Sequence, residues 1–311
     1  MPLPRTLKAD LALAGVTLIW GSTFVLIKLA LSDASPLAFV LIRFALATAL
    51  LLAIFGRSGR LFAPGLARAG AVVGVFLCAG FWFQTIGMQY TTPAKSAFIT
   101  AMSVAMVPLV LMAFFGRRPT VLALAGVVAA SMGLYFLTIP PGEFSIGRGD
   151  LLTFFCAIAF AGHIVAVGHY APRCPVGGLA VWQIGVALLL TAAATPVAAL
   201  TGLETLRFDW TPRLVLAILI TGVFGIALAF SVQTWAQQFT PPTHTAIIYT
   251  LEPVFAALTS YLVLSEQLSA RGWLGAGLIL AGVLLAELRS PGAADLPGMP
   301  APANPSGDDS V

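Results

Sequence analysis

The chain has 311 residues, of which 59% are hydrophobic and 9% charged, against about 25% charged in an ordinary soluble domain. A mean hydropathy of +0.96, spread along the whole length, excludes a soluble body carried on one membrane anchor. The net charge is +4, but the basic residues stand singly at the ends of apolar runs, which excludes the continuous basic groove of a nucleic-acid partner.

A membrane-spanning helix needs about 20 mainly apolar residues. Cutting the chain at charges, prolines and glycine turns predicts ten helices, near 10–30, 36–56, 67–90, 95–115, 119–139, 149–170, 176–200, 213–238, 244–264 and 271–288. The first is expected to stay in the membrane, because its apolar run reaches Lys28 without a small-residue cleavage site. Cys78, Cys156 and Cys174 lack metal-ligand spacing and are expected as free thiols. The stretch Leu214–Leu251 is too long for one span and is cut at Thr240-Pro241-Pro242-Thr243. Beyond Arg289, a Pro, Gly, Ala and Asp run at 290–311 offers nothing to bury and predicts a disordered tail.

Arginine and lysine at the loops set orientation. With the N-terminus inside, the cytoplasmic side receives Arg5, Lys8, Arg57, Arg60, Arg68, Arg117, Arg118, Arg173 and Arg289. The opposite side receives Lys95, Arg148, Arg207, Arg213 and Arg271. Both termini are therefore expected in the cytoplasm.

The sequence repeats itself. QYTTPAKSAFI from Gln89 returns as QFTPPTHTAII from Gln238, 149 positions later, and the same offset pairs Phe81 with Phe230, Gln84 with Gln233, Thr85 with Thr234, Gly126 with Gly275 and Gly133 with Gly282. Earlier helices match at 139 or 140, as Pro36 with Pro175 and Trp20 with Phe160. The predicted units are 10–139 and 147–288. Five helices is an odd number, so the second unit enters the membrane from the opposite side. Inverted repeats place a substrate site near the midplane and give two near-equivalent states open to opposite sides.

WGSTF at Trp20–Phe24, GRGDLL at Gly147–Leu152, the QYTTPAKSA and QFTPPTHTA elements, and TLEPVFAAL with LSEQLSARGWLGAGLILAGVLL near the end together resemble an EamA-type member of the drug/metabolite transporter superfamily. The resemblance covers about residues 10–288, and the first unit has no acid matching Glu266 of the second. It implies an all-α integral membrane fold of ten helices in two inverted five-helix repeats. It also implies a bacterial inner-membrane secondary transporter that exports small metabolites, neutral or aromatic amino acids first and toxic organic compounds besides, by alternating access through a central cavity. The partners implied are a small-molecule solute and the lipid bilayer, with no cofactor, no metal and no nucleic acid, in a monomer or homodimer.

Ionisable groups inside spans are costly and normally face a cavity or a partner. Glu252, followed by Pro253, is a candidate proton site or amine ligand, and reads equally as a residue satisfying nearby backbone or an arginine. Arg43 suits a carboxylate by paired hydrogen bonds, or serves as a packing counterion. His163 titrates in the range needed for proton coupling, or stays neutral and hydrogen-bonded. Lys28 and Lys95 are expected to snorkel to the interface. Trp20, Phe81, Trp82, Gln84, Trp182, Gln183, Phe230, Gln233, Trp235 and Tyr249 lie on the first four helices of each unit, which the resemblance assigns to the cavity, while Trp210 and Trp273 fit interfacial belts. Glycines on the last helix of each unit predict close packing or dimer contacts.

Two rivals remain at the level of sequence. A passive uniporter, or a carrier of drugs, sugars or nucleotide-linked solutes, fits the same pattern. Gly147-Arg148-Gly149-Asp150 spells the GxGD of intramembrane aspartyl proteases, but that chemistry needs two carboxylates in one site, and Asp10 and Asp33 are expected at the ends of the first helix. No HExxH, Walker A or GxSxG pattern is present.

Overall fold

The computed structural model describes residues 4–58, 60–116, 118–139, 146–264 and 269–287. Arg117, Glu266, Arg289 and the 290–311 tail lie outside the described residues. The helices are α1 (Arg5–Ala30), α2 (Pro36–Phe55), α3 (Leu66–Gly87), α4 (Pro93–Ala101), α5 (Ser103–Phe115), α6 (Val121–Thr138), α7 (Arg148–Tyr170), α8 (Val176–Leu200), α9 (Pro212–Leu219), α10 (Ala229–Ala236), α11 (Pro242–Tyr249), α12 (Leu251–Leu264) and α13 (Ala270–Glu287). A π-helical stretch, Ile220–Leu228, joins α9 to α10. Among the described residues these form ten spans, because α4–α5, α9–α10 and α11–α12 are each one interrupted span. Seven spans are long and apolar enough to cross a bilayer, and the α6 and α13 segments are shorter apolar helices. The chain is a multi-pass membrane protein of two inverted five-helix repeats.

Helix starts follow local chemistry. Pro36, Pro93, Pro212 and Pro242 sit at first helical positions, where a missing N–H costs nothing. Thr92, Thr120 and Thr211 accept from the backbone N–H three residues on.

Contacts obey the repeat. The third span of each unit packs on the first and second spans of the other: α3 on α7 and α8, and the α9–α10 span on α1 and α2. The closing helices α6 and α13 pack on each other. A Cβ built on Gly133 would meet the Gly275 carbonyl at 2.6 Å, and one on Gly282 would meet the Gly126 carbonyl at 2.7 Å. Those two contacts interconvert under the 149-residue offset. At Gly133, Gly275 and Gly282 the small faces are filled within the chain, where backbones approach without side chains between them.

The lysines at the helix ends find specific oxygen partners. Lys28 Nζ donates to the carbonyls of Met88 at 2.5 Å and Thr91 at 2.9 Å, tying the end of α1 to the α3–α4 turn. Lys95 Nζ lies 2.6 Å from Asp150 Oδ2, and Asp150 also accepts from Thr91 Oγ1 and Gly147 N, each at 2.7 Å. Both ammonium heads thus bind oxygens at the helix ends where they sit. The repeat mate of the Thr91–Asp150 bond is present too: Thr240 Oγ1 donates to Asp10 Oδ1 at 2.7 Å. Asp10 is thus buried within α1 rather than flanking it.

A loop clasp joins the α1–α2 and α8–α9 connections. Asp33 accepts from Arg213 Nε at 2.9 Å and Nη2 at 2.5 Å, and from Thr211 Oγ1 at 2.7 Å. The Arg213 guanidinium, with Thr211, holds the Asp33 carboxyl down at about 2. Glu204 caps Leu37 N at 2.9 Å, and Ala34 bridges to Phe208.

Candidate substrate cavity

Two helix breaks define the site. The fourth span of each unit is interrupted within one residue of the repeat register: α4 ends at Met102 with φ −62°, ψ −9°, and α11 ends at Thr250 with φ −68°, ψ −9°. Pro253 accounts for the second, since it lacks the N–H that would bond the Tyr249 carbonyl and its ring crowds that turn. The first break has no proline four residues on; Pro108 lies further along α5. Interrupted helices at corresponding positions of two inverted halves mark the binding region of a carrier.

A cavity lies between these breaks, with about 670 Å³ of space not filled by protein atoms, its open part included. The first unit contributes Trp20, Thr23, Phe24 and Ile27 from α1, Arg43 from α2, Phe81 and Gln84 from α3, and Thr100, Ala101 and Ser103 around the first break. The second contributes Phe160, His163 and Ile164 from α7, Gly225, Phe230 and Gln233 from the interrupted eighth span, and Tyr249 and Glu252 around the second break.

The wall is aromatic and built on the repeat. Phe81 and Phe230, mates at offset 149, face each other with ring centroids 5.8 Å apart, so the pseudo-twofold axis passes between them. Phe81 then meets Phe160 at 5.8 Å, and Phe230 meets Trp20 at 5.4 Å, contacts that interchange when the units are swapped. Trp20 also meets Tyr249 edge-on at 5.0 Å, and its indole N–H donates to the Gly225 carbonyl in the π-helical stretch at 2.8 Å. A π-helical turn leaves carbonyls displaced from regular pairing, and Trp20 takes one of them.

Polar groups interrupt this wall. His163 Nε2 lies 2.9 Å from Gln183 Oε1, and Gln183 Nε2 donates to Thr234 Oγ1 at 3.0 Å, so the imidazole is fixed from behind by an amide held in turn by α10. Gln84 Nε2 donates to Thr100 Oγ1 at 3.3 Å, and Gln233 Nε2 to Gln237 Oε1 at 2.8 Å. Arg43 is buried, with its guanidinium carbon 4.9 Å from the Phe39 ring centroid and 5.1 Å from that of Phe81. Its Nε and Nη1, Gln233 Oε1 and Tyr249 Oη lack hydrogen-bond partners among the described residues. Buried polar atoms are paired in the great majority of cases; here, four unpaired atoms belong to three residues of one cavity wall.

Trp20, Arg43, Phe81, Gln84, His163, Phe230, Gln233, Tyr249 and Glu252 line the cavity, whereas Trp82, Trp182 and Gln183 do not. Trp82 is one residue round α3 from Phe81, and its indole donates to Thr191 Oγ1 on α8 at 2.9 Å. Trp182 donates to the Leu61 carbonyl at 2.7 Å and lies against Gly70. Helix α8 packs behind α2 and α3 and contributes nothing to the wall, so Gln183 acts only through His163. Trp235 packs on Phe239, with centroids 5.7 Å apart. Among the lining residues that sequence reasoning missed are Thr23, Thr100, Ser103 and Phe24. The offset itself could have found three of these, because Thr23, Thr100 and Ser103 are the mates of His163, Tyr249 and Glu252.

The GxGD aspartate is structural. Asp150 spends its oxygens on Lys95, Thr91 and Gly147 at the start of α7, away from the cavity lining.

Comparison with known proteins places this architecture. Residues 7–139 and 147–288 each match the EamA-like transporter family. A protein of Archaeoglobus fulgidus named "Uncharacterized transporter" is 37% identical over 92% of this chain and 87% of its own. An Escherichia coli protein named "Probable amino-acid metabolite efflux pump" is 26% identical over 87% of this chain and 91% of its own. A crystal structure with 19% identity superposes with a TM-score of 0.72, covering 90% of this chain and 96% of that one, and so shares the fold. The chain belongs to the EamA-like transporter family.

Proposed function

We propose that the chain is a secondary exporter of the bacterial inner membrane, with both termini cytoplasmic, whose units 10–139 and 147–288 move small metabolites by alternating access. Amino acids, neutral and aromatic ones first, are the solutes the cavity suits. The observation that carries this reading is the unpaired polar set on an aromatic wall. Arg43, Gln233 and Tyr249 offer donors and an acceptor that no described residue satisfies, and rings from both units offer a face to an apolar side chain. A concave site, mainly apolar with a few convergent polar groups, is the usual form of a small-molecule site. The similarity to a protein named as an amino-acid metabolite efflux pump supports the same class. Trp20, Phe81, Gln84, Phe160, Phe230 and Gln233 form the solute wall. Glu252 and His163 are the titratable groups through which a proton gradient would act.

The test is uptake into proteoliposomes of a panel of neutral and aromatic amino acids, with and without an imposed pH gradient. Accumulation driven by the gradient supports coupled export, and uptake indifferent to it supports a facilitator. Absence of uptake for every amino acid defeats the substrate class.

A further inference from the structure

The cavity is symmetric in shape and asymmetric in charge. Its rings follow the repeat, Phe81 matching Phe230 and Trp20 matching Phe160, but its ionisable residues, Arg43 and Glu252 among them, do not. The mate of Glu252 at offset 149 is Ser103, and the mate of Arg43 at offset 139 is Trp182. One unit therefore supplies a guanidinium and the other a carboxyl, each where the sister unit has an uncharged side chain. Both residues line the cavity and both are more than nine-tenths buried. No ion pair joins them to each other or to any other described residue. Arg43 is held by ring faces at Phe39 and Phe81, which steady a cation but leave Nε and Nη1 unsatisfied.

Ionisable side chains inside a membrane normally face a cavity and mark the path of a solute or ion, since an unpaired charge there is costly. Internal neutralisation would need these two side chains in contact, and they are not. We infer that Arg43 and Glu252 are the specificity-determining pair of the cavity: Arg43 takes a solute carboxylate through its planar fork, Glu252 takes the ammonium of the same molecule, and solutes carrying only one of those charges are discriminated against. The inference rests on the proposed transport of amino-acid-like solutes and adds to it which residue reads which charge. It also explains why the site needs both units, because neither repeat contains both groups in its share of the wall.

Three probes of one skeleton separate the charges: L-phenylalanine, phenethylamine and phenylpropanoate, each measured by competition against radiolabelled phenylalanine on the purified full chain. Wild type is expected to bind phenylalanine at least tenfold more tightly than either singly charged probe. Arg43→Gln is expected to lose at least tenfold for phenylalanine and for phenylpropanoate relative to phenethylamine, and Arg43→Lys to recover only part, since an ammonium lacks the paired donors of the fork. Glu252→Gln is expected to shift the ratio the other way. Wild-type preference is read on the unmutated protein, so a variant that fails to fold leaves the inference testable. Wild type that binds phenylalanine no better than the singly charged probes overturns the pairing while leaving amino-acid transport standing. Unchanged probe ratios in both folded variants do the same. Wild type that binds none of the three overturns both the pairing and the proposed function.

Discussion

Replacing Gly275 by alanine tests the intramolecular seam that joins the two units at their outer edge. The added Cβ would lie 2.6 Å from Leu137 N, 2.7 Å from the Gly133 carbonyl and 3.0 Å from Leu137 Cα, whereas ordinary contact begins near 3.4 Å. All three neighbours are backbone, so no side chain can swing aside, and α13 must withdraw from α6 by about 0.8 Å at the tightest point. Overpacking of this kind costs about 1–3 kcal/mol. Gly277 lies two residues on in the same helix and a Cβ there meets nothing within 4 Å. Alanine at either site gains about 0.8–1.0 kcal/mol of helix propensity. Gly277→Ala should therefore be neutral or stabilising, and Gly275→Ala should fall below it by the clash, about 1–3 kcal/mol. Thermal unfolding in detergent, followed by size-exclusion recovery, reads the difference, and Gly282→Ala should resemble Gly275→Ala because, two turns further along α13, it meets the Gly126 carbonyl and Ala130 N. Equal stability of Gly275→Ala and Gly277→Ala would refute the seam.

Lys28→Met removes both hydrogen bonds from the α1 end to the α3–α4 turn; in the proposed orientation, a cysteine at the cavity position Ile27 should then react faster with an impermeant thiol reagent added outside. Asp150→Asn weakens the acceptor shared by Lys95, Thr91 and Gly147, and should lower unfolding stability by about 1.5–3 kcal/mol, the usual worth of a charged hydrogen bond. The Asp33 carboxyl titrates near 2 in the fold against about 3.9 unfolded. Its clasp should thus contribute stability fully above about pH 4 and lose it as pH falls towards 2, a dependence absent from Asp33→Asn in thermal scans across that range. Trp20→Phe keeps the ring and deletes the indole donor to Gly225, and should reduce transport more than binding if that bond holds the π-helical stretch in register, as paired rate and affinity measurements would show.

The fold was legible because its signals are long: ten apolar segments, their charged ends and a 149-residue offset need no knowledge of packing. The site was legible only in part. Phe81, Gln84, Phe230 and Gln233 stand out as repeated polar or aromatic positions, and the cavity contains all four. Trp82 and Trp182 look like cavity residues in sequence, yet Trp82 stands one step round α3 from Phe81 with its indole on Thr191, and Trp182 lies on a helix behind the wall with its indole on the Leu61 carbonyl. Lys28 and Lys95 carry no local mark of the oxygens that hold them, because Met88, Thr91 and Asp150 lie on other spans. The breaks at Met102 and Thr250 were half visible: Pro253 signals one, while the other shows only through its mate.

The account stands most directly on exchange of radiolabelled phenylalanine across proteoliposomes loaded with unlabelled phenylalanine, comparing wild type with Ser103→Trp, whose indole would fill the cavity between the helix breaks. Saturable exchange by wild type, abolished in a Ser103→Trp protein that still elutes as a folded species, is the predicted result. Exchange that survives the plug would contradict the central claim that solute passes through this cavity.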